Sequence, residues 1–178
     1  MRIESFVRDL AAAGIGATFN FYRDGDGASL RRARLAAYLA ARADARLVLV
    51  GEAAGYRGAR VSGIPFTSER QLSGGPPGEA TATIVHRVLA ELALVDDVVL
   101  WNVVPTHPHR PGRPESNRPP TRGEIDAGAP FLAELARDRI VLPVGRVAHG
   151  LVGGTYIRHP SHGGASAFRA TLLDYAAW

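Results

Sequence analysis

Three side chains in this sequence have the chemistry needed to hold a flat, polar, uncharged ring. Phe66 lies in a Gly-rich polar loop, where an aromatic side chain can stack on another planar ring. Asn102 ends an apolar run, and its amide offers a donor and an acceptor to the edge of a base. His159 precedes Pro160, and its imidazole can donate to an oxygen that gains negative charge. Each also has a structural alternative, as a loop anchor, a turn residue and a packed histidine respectively.

A short turn bounded by glycines, Gly51–Gly55, precedes Phe66 and lets the backbone approach a ligand closely. The fingerprints of dinucleotide and P-loop sites are absent, and no Lys follows the turn. Glu52 is the carboxylate of this turn, and it could orient or deprotonate a water molecule. A salt bridge or a helix cap is the alternative role for Glu52.

The residues named so far follow or end short apolar runs that predict β-strands, and these strands alternate with helical segments. The pattern predicts an α/β fold with three α/β/α layers around a central, mostly parallel four-stranded sheet. Strand ends converge at the carboxyl edge of such a sheet, where ligands bind. The predicted strands are 47–50, 98–101, 140–144 and 155–159.

Helical spacing and capping signals place helices between these strands. Ser29 is a possible N-cap, and Thr121 with Glu124 forms a capping box. Gly128 and Pro130 could kink the helix that follows. Residues 52–77 are Gly- and Pro-rich, and a connection of this length is usually functional. The predicted helices are 4–13, 29–43, 79–92, 121–137, 146–151 and 165–177.

The loop from His107 to Pro120 is dense in Arg, His and Pro. Arg forks suit phosphates, and Pro stiffens a loop that presents them. The alternative is a rigid, solvated connection. The last helix opens with a second possible phosphate site, because backbone N–H groups are free at a helix start. The candidate DNA-binding residues in the two places are His109, Arg110, Arg113, Arg118, Ser161, His162, Gly163 and Gly164.

Composition restricts the chemistry further. The 178 residues favour one domain over residues 1–178, and the net charge is +4. There is no Cys, which excludes disulfides, thiolate nucleophiles and cysteine-bound metal, and all 21 basic residues are Arg. An imine could therefore form only at the N-terminal amine. No apolar run approaches the ~20 residues of a membrane span, and Met1–Ser5 starts no signal sequence, so we expect a cytoplasmic protein.

The order and the residues of these segments resemble the sequence motifs of the uracil-DNA glycosylase superfamily, and those of its family four enzymes in particular. The likeness covers residues 45–175. The stretches that carry it are Gly51-Glu52-Ala53-Ala54-Gly55, Gly63-Ile64-Pro65-Phe66, Asn102-Val103-Val104, Asn117-Arg118-Pro119-Pro120-Thr121 with Glu124-Ile125, Val144-Gly145-Arg146-Val147-Ala148, and His159-Pro160-Ser161.

The resemblance implies roles for the candidate residues. Phe66 would stack on a flipped uracil, Asn102 would read its Watson–Crick edge, and His159 would contact the O2 side. Backbone at Gly51 and Ala53 would complete the pocket. The partner would be uracil-containing DNA, single- or double-stranded, with abasic DNA as the product. We expect a monomer that needs no cofactor or metal and binds no membrane.

Several positions depart from the family patterns. Thr106 and Gly128 stand where family four enzymes have cluster cysteines, so we expect no iron–sulfur cluster. Ala53 stands where family one enzymes have the water-orienting Asp. Glu52 is the nearest replacement, and a lone water or another residue could serve instead. Gly55 stands where they have the Tyr that excludes the methyl of thymine, and we expect the adjacent Tyr56 to do this.

A further departure concerns the wedge that follows the family one His-Pro-Ser motif. The Leu of that wedge is replaced by Gly163, so the gap left by the base would be filled by His162, by an Arg of the 107–118 loop, or by nothing.

The interpretation that follows is a monofunctional uracil-DNA glycosylase with Glu52 and His159 as catalytic residues. Two alternatives stay open beside it: a protein that binds uracil or abasic DNA with little turnover, and a glycosylase for another deaminated base such as hypoxanthine. An enzyme acting on free nucleosides would not need the basic loop. A covalent link to DNA through His107 or His109 is disfavoured, because the Lys-Arg-rich setting of that type is missing.

Overall fold

The computed structural model describes residues 1–176, and the predicted last helical residue, Ala177, lies outside the described residues. None of the helices in this part of the chain is long and apolar enough to cross a membrane. The elements in chain order are α1 (Ile3–Ala12), β1 (Thr18–Phe19), α2 (Ala28–Ala40), β2 (Leu47–Ala53), α3 (Ala59–Ser62), α4 (Glu69–Ser73), α5 (Ala80–Glu91), β3 (Val98–Val104), β4 (His107–Pro108), α6 (Arg122–Ala136), β5 (Ile140–Pro143), α7 (Arg146–Val152) and α8 (Ala165–Ala176).

The centre of the fold is a parallel sheet with the strand order β3-β2-β5, flanked by helices. All seven residues of β3 are buried, as are the first five of β2, which explains why both read as continuous apolar runs. The in-register pair Gly51 and Asn102 brings the two strand ends together. The α/β class predicted from the alternating pattern is therefore confirmed.

The predicted fourth strand is the main difference from the expected sheet. Residues 155–159 contribute one isolated parallel bridge, between Ile157 and Val144, instead of a strand. Ile157 donates to Pro143 O and accepts from Gly145 N–H, each at 2.9 Å or less. The bridge stops there because Gly153 and Gly154 precede the segment and Pro160, which lacks an N–H, follows it. The sheet therefore has three strands within residues 1–176, and not four.

The long connection after β2 is partly helical. β2 runs on to Ala53, and α3 and α4 are short helices within the predicted loop 52–77. The N-cap of α2 is Gly27, with a left-handed φ of 81°, and not Ser29. The capping box of Thr121 and Glu124 is confirmed at the start of α6, which continues through Pro130.

Gly128 and Thr106, which stand where family four enzymes have cysteines, make packing and hydrogen-bond contacts in this structure. A Cβ at Gly128 would overlap the carbonyl oxygen of Val103, so this glycine lets α6 lie directly against β3. The Thr106 hydroxyl lies 2.6 Å from that of Thr18, beside a small antiparallel ribbon of β1 and β4 that the sequence did not predict. Both positions therefore have structural roles in this chain.

Candidate functional site

A cavity of about 550 Å³ opens at the carboxyl edge of the parallel sheet, the place expected for a ligand site. It is bounded by the ends of β2 and β3, the start of α7, the segment 144–148, the end of the basic loop and His159. Its lining residues are Gly51, Glu52, Ala53, Ala54, Gly55, Ala59, Phe66, Glu79, Thr81, Asn102, Pro108, Asn117, Arg118, Pro119, Val144, Gly145, Arg146, Val147, Ala148 and His159.

Gly51 is the point where the predicted base-reading residues meet. A Cβ at Gly51 would lie 2.5 Å from Phe66 Cζ and 2.7 Å from Asn102 Oδ1. A side chain at this position would displace both groups, so the glycine gives the cavity its depth. Asn102 is only 4% exposed, and its amide makes no hydrogen bond within the described chain. The amide of this largely buried residue is therefore unpaired within the described residues and, as part of the cavity lining, is free to pair with a ligand.

Phe66 is held by an unusual backbone conformation. Its φ of 52° lies in the left-handed region, which is uncommon for a bulky residue and indicates a constrained functional position. The Ser62 hydroxyl donates to the carbonyl oxygen of Thr67 at 2.7 Å and ties the turn together around Phe66. The ring packs against the hydrophobic core and forms one wall of the cavity.

His159 presents a defined donor to the cavity. The backbone N–H of Ser161 can only donate, and it lies 3.2 Å from His159 Nδ1, so this nitrogen accepts. The Ser161 hydroxyl lies 2.7 Å from the same atom. Burial, reinforced by the positive charges of Arg158 and His162, lowers the pKa of His159. At neutral pH the ring is therefore neutral, with its proton on Nε2 and available to a ligand oxygen.

Glu52 lines the cavity and is half-buried. It has no ion pair or side-chain hydrogen bond within residues 1–176. Burial raises the pKa of its carboxyl group, because the charged form has lost water without gaining a partner. A raised pKa makes the carboxylate a stronger proton acceptor than an ordinary glutamate. The arrangement fits the predicted role of Glu52 toward water.

Tyr56 is not brought to the cavity with the other predicted residues. Its ring lies under the Arg60 guanidinium, 4.7 Å from Cζ to the ring centroid, and 6.0 Å from the His107 ring. Its backbone N–H donates to Asn117 Oδ1 at 3.0 Å. The expectation that Tyr56 faces the C5 position of a base therefore has no geometric support.

Arg118 has a different role from the phosphate contact expected of it. Its side chain is 19% exposed and forms an ion pair with Glu124, which is 2% exposed. All five of its N–H groups are used, so none is free for a phosphate. The acceptors are His109 O, Pro119 O, Ala17 O, Glu124 Oε1 and Glu124 Oε2.

The other residues of the basic loop lie on the surface beside the cavity. Arg110 and Arg113 are exposed, and their backbones form an isolated antiparallel β-bridge. The Arg113 side chain also forms an exposed ion pair with Glu115 at 3.4 Å. His109 is partly exposed, and its Nδ1 lies 3.0 Å from Arg110 O. His107, by contrast, is buried, with Nδ1 2.9 Å from Ala54 O.

The segment before α8 divides into exposed and buried parts. His162 and Gly163 are exposed with left-handed φ values of 52° and 76°, and Ser161 is half-buried. Gly164 is buried, and a Cβ there would overlap the carbonyl oxygen of His159. Gly164 therefore allows α8 to begin against His159 and is not available for DNA.

Two cavity residues were missed by sequence reasoning. Glu79 lies just before α5 and reaches the cavity as a second carboxylate, and Arg146 lies at its exposed rim. Arg146 was part of a recognised motif but received no role. Nothing in the sequence next to Glu79 distinguishes it from an ordinary residue at the start of a helix.

Two comparisons with known proteins found a match. The family model described as the uracil DNA glycosylase superfamily matches residues 39–173. The fold is similar to that of a crystal structure of wild-type SMUG2 from Pedobacter heparinus, with a TM-score of 0.64 and 14% sequence identity. The likeness covers 99% of this chain and 97% of the other. No curated protein sequence matches the chain.

Proposed function

Since the chain belongs to the uracil DNA glycosylase superfamily, we propose that it is a monofunctional uracil-DNA glycosylase acting in base excision repair. Members of this superfamily are DNA glycosylases, which hydrolyse N-glycosyl bonds. The observation that carries the uracil assignment is the convergence of Phe66, Asn102 and Gly51 in one cavity with His159 across from them.

The target base is recognised after it has flipped out of the DNA and entered the cavity. Flipping a nucleotide out of DNA costs a few kcal/mol, and least where pairing is poor, as at a U·G mismatch. The ring of Phe66 then stacks on the flipped base, and the free amide of Asn102 pairs with its Watson–Crick edge. Both groups are in place before the base arrives, so little side-chain conformational entropy is lost on binding.

His159 acts on the leaving group. Cleavage of the glycosidic bond leaves negative charge on the uracil, shared with O2. The Nε2–H of neutral His159 donates to this oxygen, and backbone N–H groups at the end of β2, residues 51–53, add to the stabilisation. Such donors act mainly on the transition state, because the charge develops only as the bond breaks.

Glu52 orients the water that adds to the sugar carbon. Its carboxylate lies in the same cavity and has no competing partner within the described residues. The absence of Lys supports a monofunctional reaction, because strand cleavage through an imine needs an amine. The product is then an abasic site in an intact strand.

The DNA backbone follows the exposed residues around the cavity mouth. His109, Arg110 and Arg113 belong to the basic loop, and Ser161, His162 and Gly163 belong to the segment before α8. The exposed guanidinium of Arg146 adds a positive charge at the rim. Phosphate contacts of this kind position a strand without reading its sequence, on single- or double-stranded DNA.

Product analysis tests this proposal. DNA with one uracil should yield free uracil and an alkali-labile abasic site, with no protein–DNA adduct after borohydride treatment. Release of hypoxanthine but not uracil would move the assignment to another deaminated base. Tight binding of uracil DNA without release of any base would instead indicate a binding protein.

A further inference from the structure

Glu79 is a partly buried residue of the cavity lining, and the proposed reaction does not use its carboxylate. It lies immediately before α5, yet its side chain makes no capping hydrogen bond to that helix. It also has no ion pair within residues 1–176, and it lines the cavity. Burial raises the pKa of its carboxyl group, as expected for a carboxylate without a cationic partner. An unpaired group of this kind in a cleft calls for a functional explanation.

The Glu79 carboxylate is packed tightly against the turn that follows β2. A Cβ at Gly58 would overlap Glu79 Oε2, so the carboxylate occupies the space where a side chain at 58 would begin. At Gly55 a Cβ would have Glu79 Oε1 as its nearest neighbour, 3.6 Å away. The backbone N–H of Glu79 donates to the Ser68 hydroxyl at 3.2 Å and fixes the main chain there. The carboxylate therefore forms part of the cavity wall beside residues 55–58.

This wall lies on the β3 side of the cavity, away from His159. The turn leans toward β3, because Ala54 N–H donates to Val104 O at 3.2 Å and Tyr56 N–H donates to Asn117. His159 lies on the opposite side, against Gly145 after β5. A uracil with O2 at His159 and its N3–C4 edge at Asn102 turns its C5 position toward the 55–58 wall.

We propose that Glu79 is the residue that rejects bases carrying a methyl group at C5, an inference that rests on the proposed uracil-DNA glycosylase function. A C–H at C5 can lie against a carboxylate oxygen as a weak donor. A methyl group there would overlap the carboxylate or strip its remaining water without returning a hydrogen bond. Because the carboxylate fills the space that the missing side chain of Gly58 leaves beside the cavity, thymine is excluded while uracil enters.

The test compares release of thymine and uracil from T·G and U·G mismatches in one duplex sequence, under single-turnover conditions. Replacing the carboxylate with Glu79→Ala should raise the thymine-to-uracil rate ratio by about tenfold or more, the range in which one methyl group is discriminated. Glu79→Gln keeps the size of the side chain and should keep the wild-type ratio. Glu91→Ala removes an exposed carboxylate at the far end of the same helix and should also leave the ratio unchanged.

A second readout separates this inference from the proposed function. Calorimetry with free uracil and free thymine should show thymine binding in folded Glu79→Ala that the wild type lacks. A wild type that releases no base would contradict the glycosylase proposal, while calorimetry still decides the role of Glu79. An unchanged ratio and no thymine binding in Glu79→Ala would overturn the inference. A fall in uracil release in both Glu79 variants at a constant ratio would overturn it too, and would make the carboxylate catalytic.

Discussion

Glu52 and His159 are the titratable side chains assigned to the reaction, and burial shifts their pKa values in opposite directions. Burial raises the pKa of Glu52 and lowers that of His159, so each is driven toward its neutral form. For His159 the neutral form is the one whose Nδ1 accepts from Ser161. For Glu52 the ionised form is the one that activates water.

The pH dependence of the rate follows from these shifts. Because the pKa of Glu52 is raised, its carboxylate is lost at a higher pH than is usual for a glutamate. The single-turnover rate should therefore fall with decreasing pH along an acid limb above the ordinary Glu range. Glu52→Gln should lower the plateau rate by roughly 10²–10⁴ and abolish that limb. An acid limb that persists unchanged in Glu52→Gln would assign the titration to another group, such as His159.

At the residue scale, sequence reasoning found the parts of the site that follow strand ends. Asn102 and His159 each lie next to an apolar run, and a parallel sheet must bring such ends to one edge. Phe66 lies in the Gly-rich loop that follows the first of these runs and lines the same cavity. Tyr56 and Glu79 show where this reasoning stops. Which of them faces the base depends on how the segment between Phe66 and α5 folds back, and no local pattern records that path.

At the scale of elements, the start of α6 depends on a buried ion pair. Glu124 completes the capping box and also accepts two hydrogen bonds from Arg118, at 2.6 and 2.8 Å. Arg118 in turn reaches Ala17 and His109, so the pair connects α6 to the basic loop and to the residues before β1. The loop beside the cavity is therefore anchored by this contact.

Arg118→Met should reduce stability rather than DNA contact. The substitution leaves the buried Glu124 carboxylate without its cationic partner, which should lower the free energy of unfolding by about 3–5 kcal/mol. Denaturant unfolding at neutral pH can measure this change. The Arg118 guanidinium holds the pKa of Glu124 below its usual range. The stability from this pair is thus present above the unfolded pKa of Glu124 and is lost as pH falls through the folded pKa. The difference between wild type and variant should shrink in that acidic window.

Equal stability of wild type and Arg118→Met, combined with weaker DNA binding, would return Arg118 to the role first expected from the sequence. The reason the sequence could not decide is physical. The same Arg-rich loop composition serves phosphate binding and internal anchoring, and only the position of Glu124 distinguishes them. The short ribbon of β1 and β4 was missed for a similar reason, because two-residue strands carry no periodicity.

At the scale of the whole molecule, the α/β class followed directly from alternating apolar and amphipathic segments. The number of strands did not, because residues 155–159 look like a strand in sequence but pair through Ile157 alone. The bridge still brings His159 to the cavity that Asn102 and Phe66 line. A single pairing residue followed by His159-Pro160 is sufficient to position the imidazole.

The net charge of +4 and the exposed loop predict salt-sensitive DNA binding. Replacing Arg110 or Arg113 with Gln should lower affinity at all sequences and reduce the slope of log K against log salt by about 1 for each residue. Arg8→Gln, a change on α1 outside the basic loop and the cavity lining, should leave the slope unchanged. A slope unaffected by either loop variant would place the DNA elsewhere on the surface.

The most direct test of the account is the single-turnover rate of uracil release from DNA by the wild type and by Asn102→Ala. Asn102 is the buried, unpaired amide that we assign to base reading, so its loss removes a pair worth about 1–3 kcal/mol. The account predicts stoichiometric uracil release by the wild type and a rate lower by roughly 10- to 100-fold in a variant that remains folded. No release by the wild type, or equal rates for the two proteins, would contradict it.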